Sequence, residues 1–388
     1  MNNSDFIHKE IKHTHIHDNS KIKIKDIFND HWYNFVADNP TLNIRPVVHK
    51  EVEKMMDCGS PSNGFAFYFC DHCQNHLIVP FTCKSRLCSS CGAKYVLDRA
   101  NAISAKCINC VHRHITFTIH PLLRKIFQRD RKLLNLLFEA TAKTILTWFK
   151  KIKKSENFTP GFISTLHTFG RDLKWNPHIH MLITEGASGN YTAWRKVDFF
   201  PYEMLRKRFQ TTLLFLLEKQ LGKKSFYQLK TKIYQTSSNG FYVNGPKIKA
   251  RNIKSTVKYV VRYAGKPAMA QSRILNYDGS FVTFWYDRHE DSKRVEETIH
   301  AYEFISRLII HIYDKYFNVV RYYGLYAKNH KHKNKLISML KPHMSKIYKQ
   351  IGYWRYRIMT YFNHDPLQCS CGNTFRFDSL YIKGYNSS

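Results

Sequence analysis

Cysteine spacing constrains this chain more than any other feature. Cys70 and Cys73 are separated by two residues, as are Cys88 and Cys91, and fourteen residues lie between the pairs. Each pair can present two sulfurs to one ion. Together Cys70, Cys73, Cys88 and Cys91 supply the four ligands of a closed tetrahedral zinc site. Such a site is structural, because no position is left for a substrate. Cys83, His72 and His76 are substitute ligands. Cys107 and Cys110 could join a second site with His112 or His114, and Cys369-Ser-Cys371 could form half a knuckle. Free thiols are the alternative for both. The first residues (MNNSDFIHKEIKHTHIHDNS) contain no hydrophobic signal region, and no apolar run reaches the roughly 18 residues of a membrane span. A cytoplasmic protein with no membrane partner is expected, and there thiols hold metal rather than form disulfides.

Charge narrows the partners. Lys and Arg number 61 against 29 Asp and Glu, a formal net charge of +32. A field of that sign attracts polyanions. Aromatic residues make up 15% of the chain, so a core can form and unstacked bases can be gripped. Lys84, Arg86 and Lys94 near the cysteines suit DNA phosphates. Tyr322, Tyr323 and Tyr326, with Lys328, Lys331, Lys333 and Lys335, form a candidate patch for single strands. A solvated basic tail is its alternative reading.

Periodicity gives an α+β chain without regular βαβ alternation. A polar tail (1–24) precedes a zinc-binding region (25–110), a catalytic region (111–300) and a basic C-terminal helical region (301–388). His114 to His120 alternates as a strand, and Pro121 opens a helical stretch to about Lys154. Phe162 to Thr168 and His178 to Thr184 read as two strands joined by a polar loop. Pro201 to Leu221 is a helix stopped by Gly222. Asn239-Gly240 marks a hairpin turn, and Asp278-Gly279 precedes a strand from Ser280 to Asp287. A central antiparallel sheet with flanking helices is the expected architecture.

Asn176-Pro-His178-Ile-His180 is the second constellation. On a strand, residues two apart share a face, so both imidazoles reach one cation while Ile179 packs behind. His167 lies eleven residues upstream of His178 on the preceding strand, and it is the expected third ligand. His120, Glu185 and Asp172 are the other candidates. The third constellation is Tyr259-Val-Val-Arg-Tyr263. On a helix these phenols share one face, with Lys258, Arg262 and Lys266 nearby. An aromatic stripe packing into the core is the alternative.

Taken together and in order, these blocks resemble the IS91-type transposases, HUH endonucleases with two tyrosines. The resemblance runs through Cys70-x-x-Cys73, Cys83-Lys-Ser-Arg-Leu-Cys88-x-x-Cys91, Leu166-His167-Thr168, Asn176 to His180, Tyr259 to Tyr263, Ala270-Gln-Ser-Arg-Ile274 and Arg321-Tyr-Tyr-Gly-Leu325. It covers most of the chain from about Cys58. The spacing of the three histidines is also similar to that of conjugative relaxases. The resemblance implies an enzyme that moves single-stranded DNA by a rolling-circle-like route, acting at element ends and on target DNA. It implies Mg²⁺ or Mn²⁺ at His167, His178 and His180, zinc in the N-terminal region, and Tyr259 and Tyr263 as nucleophiles forming a 5′-phosphotyrosine. A plasmid replication initiator or relaxase would use the same chemistry. A non-enzymatic zinc-dependent DNA-binding regulator would keep the charge and the cysteines but leave the histidines and tyrosines idle.

Overall fold

The computed structural model describes residues 22–246, 267–288, 290–331, 336, 339 and 353–382. The fold is α+β as expected, with three antiparallel sheets and packed helices. No helix among the described residues is long and apolar enough to cross a membrane.

The chain begins with α1 (Ile24–Asp38) and α2 (Pro46–Met56). Ile24, Ile27, Phe28 and Phe35 repeat at helical spacing on α1 and meet Val48, Val52 and Met55 of α2 in one buried cluster. A hairpin of β1 (Phe65–Phe69) and β2 (His76–Pro80) follows, and then α3 (Ser89–Lys106).

The central sheet is built from β3 (His112–Thr118), β4 (Thr159–Phe169), β5 (Trp175–Ser188), the short β6 (Arg195–Lys196), β7 (Tyr242–Asn244) and β11 (Val320–Gly324). Its order is β11-β4-β5-β3-β7, with β6 paired to β5. Between these strands run α4 (Arg124–Arg129), α5 (Leu134–Ile152), α6 (Tyr202–Leu221) and α7 (Lys223–Thr236). The sheet's two faces differ as the two-residue repeat requires. Phe117, Phe162, Leu166, Ile179, Met181 and Ile183 point to one side and join the apolar stripes of α5 and α6 in the main core. The alternate residues His114, His167, His178 and His180 therefore stand on the opposite side. Part of that side is covered where Ile103 and Cys107, on and just after α3, pack on Ile163 and Leu182.

A third sheet of β8 (Ile274–Tyr277), β9 (Phe281–Asp287) and β10 (Arg294–His300) leads into α8 (Ala301–Ile309), whose Phe304, Ile305 and Leu308 join the α1–α2 cluster. The C-terminal region, expected as helical, contains strands as well. β11 closes the edge of the central sheet, and after α9 (Trp354–Phe362), β12 (Arg376–Tyr381) pairs with β1. The N-terminal sheet is thus β12-β1-β2.

Two local expectations are corrected. The helical stretch from Pro121 breaks at Asp130, whose backbone is extended and whose carboxylate accepts the Lys132 N–H at 3.0 Å, capping the next segment. Asn239-Gly240 does not join two paired strands. It turns the chain from α7 into β7, which pairs with β3. Gly240 has φ +85°, and a Cβ there would lie 2.4 Å from the backbone of Arg206, so both conformation and space require glycine.

Candidate functional site

Register decides which histidines meet. In the antiparallel β4–β5 pair, His167 stands opposite His178 and Thr165 opposite His180. A register shift at the end of β4, between His167 and Phe169, bends the strand beside this site. Ring centroids are 5.5 Å apart for His167 and His178, 4.6 Å for His167 and His180, and 4.7 Å for His178 and His180. One ligand atom from each of the three lies within 4.8 Å of the others.

Hydrogen bonds orient the rings. His178 Nδ1 donates to the Asn176 carbonyl at 2.7 Å, which leaves the Nε2 lone pair facing the cluster. His180 Nε2 lies 3.0 Å from His178 Nε2, and its Nδ1 lies 2.8 Å from His114 Nε2. Two nitrogens bound to one cation at about 2.1 Å and near a right angle would lie about 3.0 Å apart, so the spacing fits a shared ion. With an ion on its Nε2, His180 would donate its Nδ1–H to His114, the outer-sphere partner that a metal-bound histidine ordinarily has. Burial, the largest cause, pushes the His114 and His178 imidazoles down to about 4, so both are neutral near pH 7. Asn176 Oδ1, on the same face by parity, is buried with no hydrogen-bond partner among the described residues. An unpartnered acceptor beside the cluster suits an ion's water or a ligand donor.

The other candidates for third ligand are used elsewhere. Glu185 is salt-bridged at 2.6 Å to the buried Arg113, whose Nε also donates to it at 2.7 Å. Asp172 accepts the Lys174 N–H in the β4–β5 loop. His120 accepts the Leu122 N–H beyond the end of β3. His114, expected as a partner for Cys107 and Cys110, instead supports His180. Its position two residues into β3 carried that signal, since parity puts it on the cluster's face.

The cysteines depart from expectation. Cys70 and Cys73 are not brought to Cys88 and Cys91. Cys58, Cys83, Cys88 and Cys91 form one cluster, with Sγ–Sγ separations of 3.6 Å for Cys58–Cys91 and Cys83–Cys91 and 3.7 Å for Cys58–Cys88. The cause is the β1–β2 hairpin. It holds Cys70 and Cys73 at its turn, while Cys88 and Cys91 open α3 next to the end of α2, where Cys58 sits. Four sulfurs about 2.3 Å from one zinc would lie about 3.8 Å apart, so this cluster fits the metal. Contacts among the four thiols push Cys91 down and Cys83 up. Cys70 and Cys73 lie instead with Cys369 and Cys371.

Tyr259 and Tyr263 lie outside the described residues, as do Lys333 and Lys335. The tyrosines of the expected single-strand patch are committed to packing. Tyr323 stacks on Phe162 at 5.0 Å, Tyr322 lies under Lys106 at 4.7 Å, and Tyr326 stacks on His112 at 6.0 Å. Lys84 and Arg86, expected from sequence to suit DNA phosphates, line a cavity of 590 Å³ between the Cys83–Cys88 loop and the end of β4, with Phe169, Tyr313 and Lys315 among its other walls.

A thiol-clustered unit joined to an antiparallel sheet with a histidine face suits a DNA-processing protein, and the comparisons with known families agree. Residues 161–334 match the family described as putative transposase, and residues 27–119 match the transposase zinc-binding domain. The transposase for insertion sequence element IS801 of Pseudomonas savastanoi pv. phaseolicola is 26% identical over 391 residues, covering 94% of this chain and 92% of that protein. The putative transposase y4qJ of Sinorhizobium fredii (strain NBRC 101917 / NGR234) is 27% identical over 297 residues, 71% of this chain and 73% of that one. No solved structure matches. The chain belongs to the IS91 family of transposases.

Proposed function

We propose that this transposase nicks and rejoins single-stranded DNA at the ends of an insertion element, with Tyr259 and Tyr263 as nucleophiles. His167, His178 and His180 would hold Mg²⁺ or Mn²⁺, and Cys58, Cys83, Cys88 and Cys91 a structural zinc. The convergence of three imidazoles from two paired strands carries this reading. Family membership favours a transposase over an initiator or relaxase with the same nicking chemistry, and a regulator would have no use for the histidine cluster. Ten free cysteines suit a reducing cytoplasm.

The bound divalent ion would neutralise and orient the scissile phosphate. One phenolate attacks phosphorus, forming a Tyr–O–P bond. The P–O3′ bond breaks and the electron pair leaves with the 3′ oxygen, which takes a proton. The downstream strand stays linked through its 5′ phosphate. A 3′-OH from another strand can reverse the step, so joining needs no ATP, and two tyrosines allow two strands to be held. His114 fixes the His180 ring through its hydrogen bond. The described chain enters the tyrosine segment from β7, where Asn244 pairs with Thr116, and Thr116 Oγ1 lies 3.4 Å from His180 Nδ1. That entry point supports delivery of the phenols to the histidine face. The basic cavity beside the Cys83–Cys88 loop suits the phosphates of a bound strand.

Label transfer tests the proposal. With Mn²⁺ and an oligonucleotide carrying the element's end, a 3′ label should become attached to protein and a 5′ label should be released. No transfer from either end would reject tyrosine chemistry and favour the regulator.

A further inference from the structure

The matched transposase regions end at residue 334, yet a second group of four thiols reaches beyond them. Cys70 and Cys73 occupy the turn between β1 and β2. Cys369 and Cys371 occupy the turn before β12. Cys70 Sγ lies 3.6 Å from Cys371 Sγ, and Cys73 Sγ lies 3.4 Å from Cys369 Sγ, all four falling within 4.8 Å of one another. These separations are far beyond a disulfide bond of about 2.05 Å and near the roughly 3.8 Å edge of a zinc–sulfur tetrahedron.

Both turns are shaped to aim sulfurs. Cys70 N–H donates to the Asn75 carbonyl at 2.8 Å, and Gln74 N–H donates to the Cys70 carbonyl at 2.9 Å with Gln74 at φ +62°. The partner turn repeats the device. Cys369 N–H donates to Asn373 at 2.8 Å, and Gly372 N–H, from a residue at φ +86°, donates to Cys369 at 3.0 Å. Two tight turns from opposite ends of the chain therefore face each other with four thiols between them.

We propose that Cys70, Cys73, Cys369 and Cys371 bind a second zinc ion, which ties the C-terminal strand β12 to β1. Apolar burial alone gives β12 little reason to stay. Its residues are exposed except Leu380's neighbour Ser379, which is half-buried, and the Arg376–Asp71 ion pair is solvent-facing. Surface pairs of that kind contribute little. The β1 ladder and the Phe65–Tyr381 and Tyr68–Phe377 ring contacts hold the strand, and metal ligation would add a fixed crosslink between turns 296 positions apart in the chain. The N-terminal sheet would then be completed by both the N- and C-terminal parts of the chain.

Zinc stoichiometry of the full chain tests this. The measurement is made in a His178→Ala/His180→Ala background, so that the imidazole cluster contributes no metal. Elemental analysis should give two zinc ions per chain, falling to one in Cys369→Ser/Cys371→Ser and separately to one in Cys58→Ser/Cys83→Ser. X-ray absorption on the background protein should report four sulfurs per zinc on average. As a control for misfolding, Cys371→His, which keeps a ligand, should retain both ions. Two ions in Cys369→Ser/Cys371→Ser, one ion in the background protein, or nitrogen and oxygen replacing sulfur around its zinc would each overturn the assignment.

Discussion

Replacing His114 by alanine perturbs the proposed cation site without touching a ligand. His114 Nε2 lies 2.8 Å from His180 Nδ1 on the histidine face of the central sheet, opposite the main core. With an ion bound at His180 Nε2, the Nδ1–H must donate, and His114 is the acceptor in reach. Metal binding makes that N–H more acidic, so the bond resembles one to a charged group, contributing about 1.5–3 kcal/mol. At about 1.4 kcal/mol per factor of ten, Mn²⁺ affinity should fall by about 10- to 100-fold, the range found for outer-sphere partners of metal-bound histidines. Calorimetric titration of the full chain with Mn²⁺ measures the affinity directly. Nicking by His114→Ala should recover when Mn²⁺ is raised in proportion, because ligands and nucleophiles are intact. His114→Gln, whose amide oxygen can accept, should lose less. Unchanged Mn²⁺ affinity in His114→Ala would refute the argument that this bond sets the His180 tautomer.

Three further outcomes are expected. Tyr259→Phe/Tyr263→Phe should bind the single-stranded oligonucleotide as tightly as wild type in a filter or mobility assay yet form no covalent adduct; surviving adducts would exclude this pair as the nucleophiles. Cys88→Ser should release one zinc and make the Cys58–Cys91 region sensitive to protease, because this residue is one of the four clustered thiols; unchanged zinc content would reject that ligand set. His311 is buried with its Nε2 donating to Leu173 at 2.8 Å and Nδ1 near Thr168 Oγ1 at 3.1 Å, and burial pushes it down to about 4. The unfolded chain, with a histidine near 6.5, takes up the proton first. Stability is therefore full above about pH 6.5 and falls at roughly 1.4 kcal/mol per pH unit towards pH 4. Urea unfolding in that window should show a shallower pH slope for His311→Asn than for wild type, and equal slopes would contradict the assignment.

The histidine site was legible because its signals are local. His178 and His180 share parity on one strand, the polar loop between the strands is short, and pairing His167 with His178 follows from an eleven-residue spacing closed by a hairpin. The α5 and α6 stripes were equally plain. The thiol clusters were not, because their ligands meet by tertiary routes. Cys58 has no nearby cysteine upstream of β1, and Cys369 reaches Cys73 only because β12 pairs with β1. One signal was available: Cys58 and Cys83 were each unpaired, and with three Cys pairs they make two sets of four. The break at Asp130 and the whole of α7 depended on side-chain capping and on packing against α6, which periodicity does not encode. Tyr322, Tyr323 and Tyr326 looked like a surface patch because basic residues follow them, yet strand pairing of β11 with β4 turns them into packing residues.

The central claim is that a phenol of this chain becomes joined to DNA beside the histidine face. Trapping wild-type protein on a single-stranded oligonucleotide with Mn²⁺, then digesting and weighing the peptides, reads this most directly. The nucleotide mass should map to the peptide containing Tyr259 or Tyr263, and it should vanish when His178 and His180 are both alanine. A modification on any other residue, or one that persists without the two histidines, would contradict the account.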